Sequence, residues 1–263
     1  MSRMPRTAAL AFLLALGLTA CSSSTGDDGG SSPSAGVPSA APSETATKPS
    51  GPYQDIEFTG GDGEPRQGRL YGPEDAPVVV VLSHMGSDGD SQDDWAATAQ
   101  ALAERGHRVI TYQRLRPRYQ VWQDVIGAAR YARENGAEKV VLAGASLGAM
   151  ASLHVALERS VPIDGVVWVA GLLGANGMRF DQAGVDGVSC PVLLATGDGD
   201  SYGATEDTRQ LHAWLPGSEL LVLPSPRHGT DILAEGGAPA EQLETAVLDF
   251  VDGVATAETF TPC

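Results

Sequence analysis

The strongest constraint in this sequence is a set of short apolar runs that do not alternate with polar residues. Val78-Val79-Val80-Val81-Leu82-Ser83 is the clearest, and Lys139-Val140-Val141-Leu142-Ala143 and Pro191-Val192-Leu193-Leu194-Ala195-Thr196 are of the same kind. A strand with one wetted face alternates apolar and polar side chains, whereas a strand that reads apolar throughout must be covered on both faces. Strands are expected at 54–58, 67–71, 78–83, 107–112, 138–143, 165–169, 192–196 and 218–223. Helices are expected between or after them, near 93–105, 120–134, 147–158, 205–214 and 239–253, and Glu134-Asn135-Gly136 reads as a helix stop. This alternation predicts one α/β domain over residues 53–263. Its sheet has about eight strands, mostly parallel, with helices on both faces and an antiparallel start.

The preceding residues read differently. Arg3 and Arg6 make a basic start, and the apolar run over residues 8–18 is shorter than the ~20 residues a membrane span needs. The run ends in Leu18-Thr19-Ala20-Cys21, which resembles a bacterial lipobox. That resemblance implies a signal peptide over residues 1–20, cleavage before Cys21, and a lipidated Cys21 that anchors the chain outside the cytoplasm; two or more acyl chains give stable anchoring. Residues 22–52 are Ser-, Gly-, Pro- and Ala-rich, too poor in large apolar side chains to offset the entropy of ordering, so residues 21–52 are expected to form a flexible tether.

Charge excludes one class of partner. With 17 Lys+Arg against 33 Asp+Glu, the formal net charge is −16, and no basic cluster offers a surface for phosphates. Nucleic acid is not an expected partner. Asp88, Asp90, Asp93 and Asp94 invite a metal reading, but counting from Asp88 an EF-hand loop would place Gly at Asp93 and Glu at Ala99. Helix capping by Ser91 or Asp93 explains the run better. No His-x-x-x-His pair, C-x-x-C or Walker loop occurs, so neither metal nor cofactor is expected. Outside the cytoplasm Cys190 and Cys263 can pair, a bridge whose geometry the sequence leaves open.

The chemistry-bearing motif is Gly144-Ala145-Ser146-Leu147-Gly148, directly after an apolar strand and directly before a helix. A serine on so sharp a strand-to-helix turn needs small residues two before and two after it, and the helix N-terminus favours a developing negative charge beside it. A hydroxyl needs a base to take its proton, and the base needs an acid to hold it. Both occur downstream, each just past a strand: Gly197-Asp198-Gly199-Asp200, then Ser225-Pro226-Arg227-His228-Gly229. His212 sits within a predicted helix, and His154 lies about two turns along the helix that follows Ser146, so neither is placed to serve it.

The order Ser, Asp, His on an α/β chain resembles the α/β-hydrolase superfamily over essentially all of residues 53–263. The resemblance implies an α/β-hydrolase fold with catalytic Ser146, Asp200 and His228. Asp200 is favoured because the family's acid commonly stands three residues after the glycine closing its strand; Asp198 is the competitor. An oxyanion hole is implied from the Leu147 N–H and from the loop Ser83-His84-Met85-Gly86-Ser87. That loop looks like the family's His-Gly-X segment with Met85 in place of glycine, so Gly86 is the donor by position and Met85 the alternative. His84 is expected to be structural.

The small size is similar to the dienelactone-hydrolase-like subgroup, which carries Cys where this chain has Ser146. Residues 170–190 leave room only for a loop or a turn of helix, hence a minimal cap. Leu172, Leu173, Met178 and Phe180 either line the entrance or pack beneath the loop. Arg114, Arg116 and Arg118 are expected in a solvated loop, with a substrate carboxylate as the other reading. The expected function is a membrane-anchored, extracytoplasmic carboxylic ester hydrolase, monomeric, acting on a small-molecule ester or related acyl substrate. The rivals are a non-catalytic binding lipoprotein, and an acyltransferase or amidase using the same three residues.

Overall fold

A computed structural model describes residues 52–114, 120–258 and 261–263. The lipobox with Cys21, the tether as far as residue 51, and Arg116 and Arg118 lie outside the described residues. The chain opens with β1 (Tyr53–Thr59), β2 (Pro65–Tyr71) and β3 (Val78–Ser83), then a 3₁₀ turn at Gln92–Trp95, α1 (Ala96–Glu104), β4 (Arg108–Tyr112) and α2 (Trp122–Glu134). It continues through β5 (Lys139–Ala145), α3 (Leu147–Glu158), β6 (Gly165–Val169), the short ribbon β7 (Gly174–Ala175) and β8 (Met178–Arg179), and α4 (Gln182–Val185). β9 (Val192–Gly197), α5 (Ala204–Trp214), β10 (Glu219–Leu223), α6 (Asp231–Glu235) and α7 (Gly237–Thr256) complete it.

Eight strands form one sheet in the order β1-β2-β4-β3-β5-β6-β9-β10. β1 and β2 pair antiparallel, β2 meets β4 antiparallel, and every pairing from β4 to β10 is parallel. The apolar runs are explained by where alternate residues point. Val79 and Val81 of β3 join the core packed by α2 and α3, while Val78, Val80 and Leu82 join the core packed by α1 and α7. All five are at most 3% exposed, and each such side chain contributes roughly 1.5–3 kcal/mol of burial. From β3 the chain moves outward to β4 on one side, then returns to β5 on the other. That reversal opens a crevice at the carboxyl ends of the strands, where ligands bind in open α/β sheets.

Two long-range ties close the domain. Lys139 Nζ donates to the carbonyls of Val254, Ala255 and Ala257 at 2.8–2.9 Å, capping the end of α7. Cys190 and Cys263 form a disulfide with Cα atoms 5.2 Å apart, and Cys263 also exchanges backbone hydrogen bonds with Ile163. No helix among the described residues is long and apolar enough to cross a membrane.

The segment 170–190 holds more structure than a loop or single helical turn. Asn176 and Gly177, both at positive φ, form the two-residue turn of the β7–β8 hairpin. An Asn-Gly pair is a strong hairpin signal, which the expectation of a plain loop passed over. Met178 and Phe180 are buried, Phe180 edge-on to Trp168, so for these two the packing alternative is what the structure shows.

Candidate active site

Ser146 stands between β5 and α3 at φ 51° and ψ −114°, a left-handed conformation that costs a non-glycine residue of order 1–3 kcal/mol. The turn is held by its neighbours: the Ser146 N–H donates to the Val169 carbonyl at 2.8 Å, and its carbonyl accepts from the Met150 N–H at 3.1 Å. Both flanking glycines are sterically required. A Cβ on Gly144 would lie 2.3 Å from the Gly148 backbone, and one on Gly148 would lie 2.2 Å from the Ser83 carbonyl oxygen. The G-x-S-x-G spacing is thus the imprint of a helix seated directly against two strand ends.

The acid and the imidazole arrive on loops that are laced together. The Asp198 N–H donates to the Leu223 carbonyl at 2.8 Å, and the Gly199 N–H to the Ser225 carbonyl at 3.1 Å, joining the turns after β9 and β10. Across that seam His228 Nδ1 lies 2.7 Å from Asp200 Oδ2, and His228 Nε2 lies 2.8 Å from Ser146 Oγ. The Asp200 carboxylate is fully buried, and its Oδ1 accepts from the Tyr202 N–H at 2.8 Å. An ionised carboxylate only accepts, so the proton belongs on Nδ1 and leaves Nε2 to accept from the serine hydroxyl. Asp198 is exposed and points no group into this relay. His154 packs at a tilt against Trp122 with Nε2 3.2 Å from Glu158 Oε1, and His212 bonds Ser218.

These groups open into a cleft of about 340 Å³ lined by Met85, Gly86, Ser87, Asp90, Ser146, Leu147, Leu172, Asn176, Tyr202, His228 and Asp231. Met85, Gly86 and Leu147, the expected oxyanion donors, therefore border the same space as Ser146. Tyr202 is a contributor that the sequence reading missed. Its ring centre lies 4.4 Å from that of His228 while the residue stays 66% exposed, a shield over one face of the imidazole. Its position two residues after Asp200 was the available signal. In the acidic loop Ser91 caps the 3₁₀ turn, with Asp94 completing a capping box. Burial first, then the charges of Asp90, Asp231 and Asp93, push the Asp94 carboxyl up, against the Ser91 N–H that lowers it.

Arg114 requires a correction. Instead of sitting in solvent or facing a substrate carboxylate, it is buried and donates to the backbone carbonyls of His84 and Met85. His84 is buried beside it and accepts from the Arg114 N–H through Nε2 at 3.4 Å. Burial, then the Arg114 charge, push the imidazole from 6.5 down to about 3, with a backbone hydrogen bond at Met85 opposing them. Unfolded, His84 gains a proton near its ordinary value; folded, it resists until about pH 3. Stability from this residue is complete above the unfolded value and is lost as pH falls toward the folded one. The unfolding free energy should thus drop further between about pH 7 and pH 4 in wild type than in His84→Gln, by on the order of 2–3 kcal/mol, with the melting temperature following it. Parallel thermal-melt profiles for the two proteins would contradict this.

A family model described as serine hydrolase matches residues 80–229. No curated protein matches the chain. Among solved structures the chain is similar to an esterase of Pyrococcus furiosus, with a TM-score of 0.63 and 16% identity over 76% of this chain and 92% of that one. It is similar to the dienelactone hydrolase from Anabaena variabilis, with a TM-score of 0.62 and 20% identity over 76% and 97% of the two chains. Carboxyl esterase 2 from Tuber melanosporum gives a TM-score of 0.63 and 12% identity over 81% and 89%. At such identities the shared property is the fold, an α/β-hydrolase sheet with its helices.

Proposed function

We propose that this chain, which belongs to the serine hydrolase family, hydrolyses small carboxylic esters through an acyl-enzyme formed on Ser146. The observation that carries this reading is the unbroken relay from Asp200 through His228 to Ser146, at 2.7 and 2.8 Å, opening into a cleft. In the proposed sequence Ser146 Oγ attacks the acyl carbon while His228 Nε2 takes its proton. The carbonyl oxygen becomes an oxyanion, met by the N–H of Leu147 and that of Met85 or Gly86. Collapse expels the alkoxide, which leaves with the proton from His228. Water, deprotonated by the same imidazole, then releases the acid and regenerates the hydroxyl. Asp200 holds the imidazole orientation and stabilises its cation.

The cleft size and the slight cover supplied by residues 170–190 favour a short acyl group, or the exposed end of a larger molecule. The lipobox-like Leu18-Thr19-Ala20-Cys21 and the tether after it support an extracytoplasmic protein anchored by a lipidated Cys21. The full chain, purified in detergent, should hydrolyse p-nitrophenyl acetate or butyrate, react with a fluorophosphonate probe, and show diacylglycerol on Cys21 by peptide mass. Folded protein that takes no label would point instead to a ligand-binding module. Faster transfer to an alcohol than to water, or faster cleavage of amides, would reassign the reaction while keeping the acyl-enzyme.

A further inference from the structure

Arg114 follows β4 and is 7% exposed. Its guanidinium donates through Nη1 to the Met85 carbonyl at 2.7 Å and through Nη2 to the His84 carbonyl. One side chain thus grips two successive peptide groups of the loop after β3. In a trans peptide the carbonyl of one residue and the N–H of the next point in opposite directions. Holding the His84 carbonyl therefore turns the Met85 N–H away from the guanidinium, and holding the Met85 carbonyl does the same to the Gly86 N–H. An extended chain alternates its carbonyls from side to side. Here the guanidinium fork fixes an arrangement in which two neighbouring carbonyls share one side, and successive N–H groups turned the same way form an anion-binding nest. Met85 and Gly86 both line the cleft that contains Ser146, and Arg114 does not.

We propose that Arg114 is a positioning residue for acyl transfer: by binding the carbonyls of His84 and Met85 from behind, it aims the N–H groups of Met85 and Gly86 at the oxyanion that forms on attack by Ser146. This rests on the acyl-transfer reading of the site. Arginine suits the task because its planar fork matches two oxygens and stays charged when buried, which a lysine ammonium does less well. Each carbonyl so bound also polarises its peptide, strengthening the N–H donor by about 10–30%.

The test is a matched oxoester and thionoester, hydrolysed by the full chain as wild type, Arg114→Met and Arg114→Lys. Sulfur is a weak hydrogen-bond acceptor, so the thionoester gains little from oxyanion donors. In Arg114→Met, kcat on the oxoester should fall by about 10²-fold, the scale of one lost donor. KM should stay within about threefold, and the thionoester should lose less than about fivefold, so the oxo-to-thiono ratio collapses. Arg114→Lys should recover part of the ratio, and it carries the same comparison if the methionine variant does not fold. Equal losses on both esters, or a wild-type kcat in Arg114→Met, would overturn the role of Arg114 while leaving the enzyme reading intact. A folded wild type inactive on both esters would overturn the acyl-transfer reading, and this inference with it.

Discussion

Ser146→Ala should lower kcat/KM on short-chain esters by about 10⁴-fold or more and abolish fluorophosphonate labelling. The expectation follows from how little else the hydroxyl does. Its hydrogen bond is to His228 Nε2, and the backbone bonds to Val169 and Met150 that hold the turn do not involve it. Alanine tolerates the φ of 51° no worse than serine, since both carry a Cβ. The folded protein should therefore survive, with a stability change of about 1 kcal/mol, the usual net scale of one hydrogen bond. Thermal melting and labelling measured on the same sample separate the two effects. Label retained on the folded alanine variant would place the nucleophile elsewhere and end the proposed mechanism.

Asp200→Asn should cost about 10⁴-fold in kcat, whereas Asp198→Asn should change it by less than about threefold. The two residues differ by only one glycine in sequence, yet Asp200 is buried against His228 Nδ1 and Asp198 is exposed. An asparagine amide at position 200 can donate to Nδ1, which moves the imidazole proton to Nε2. That nitrogen then cannot accept from Ser146, so the base is lost with little change in shape. Burst kinetics with p-nitrophenyl acetate would locate the defect in acylation. Comparable losses in both variants, or a larger one at Asp198, would contradict the assignment of the acid.

The sheet was legible because burial on both faces leaves a direct mark on composition. The run Val78–Leu82 has no polar position because neither face of β3 meets water, and its limits in the structure match those expected from the residues. Ser146 was legible for a related reason: the close approach of α3 to β3 and β5 excludes every side chain at Gly144 and Gly148. Shorter features left weaker marks. α6 has only five residues and passed unnoticed, and the β7–β8 hairpin was overlooked despite its Asn-Gly turn. Met178 and Phe180 were apolar residues in a cap-like segment, and nothing local distinguished a rim position from a buried one.

Local patterns therefore determined the α/β architecture and the residue types on offer for acyl transfer, because side-chain burial and tight turns act on neighbours along the chain. The tertiary structure set Asp200 rather than Asp198 against His228 Nδ1, placed Tyr202 against His228, and turned Arg114 from an expected solvated cation into a buried clamp on the loop after β3. Those outcomes depend on the direction of single side chains across contacts of 26 to 30 positions. Such directions are set by how the strand ends assemble, and no periodicity in the sequence encodes them.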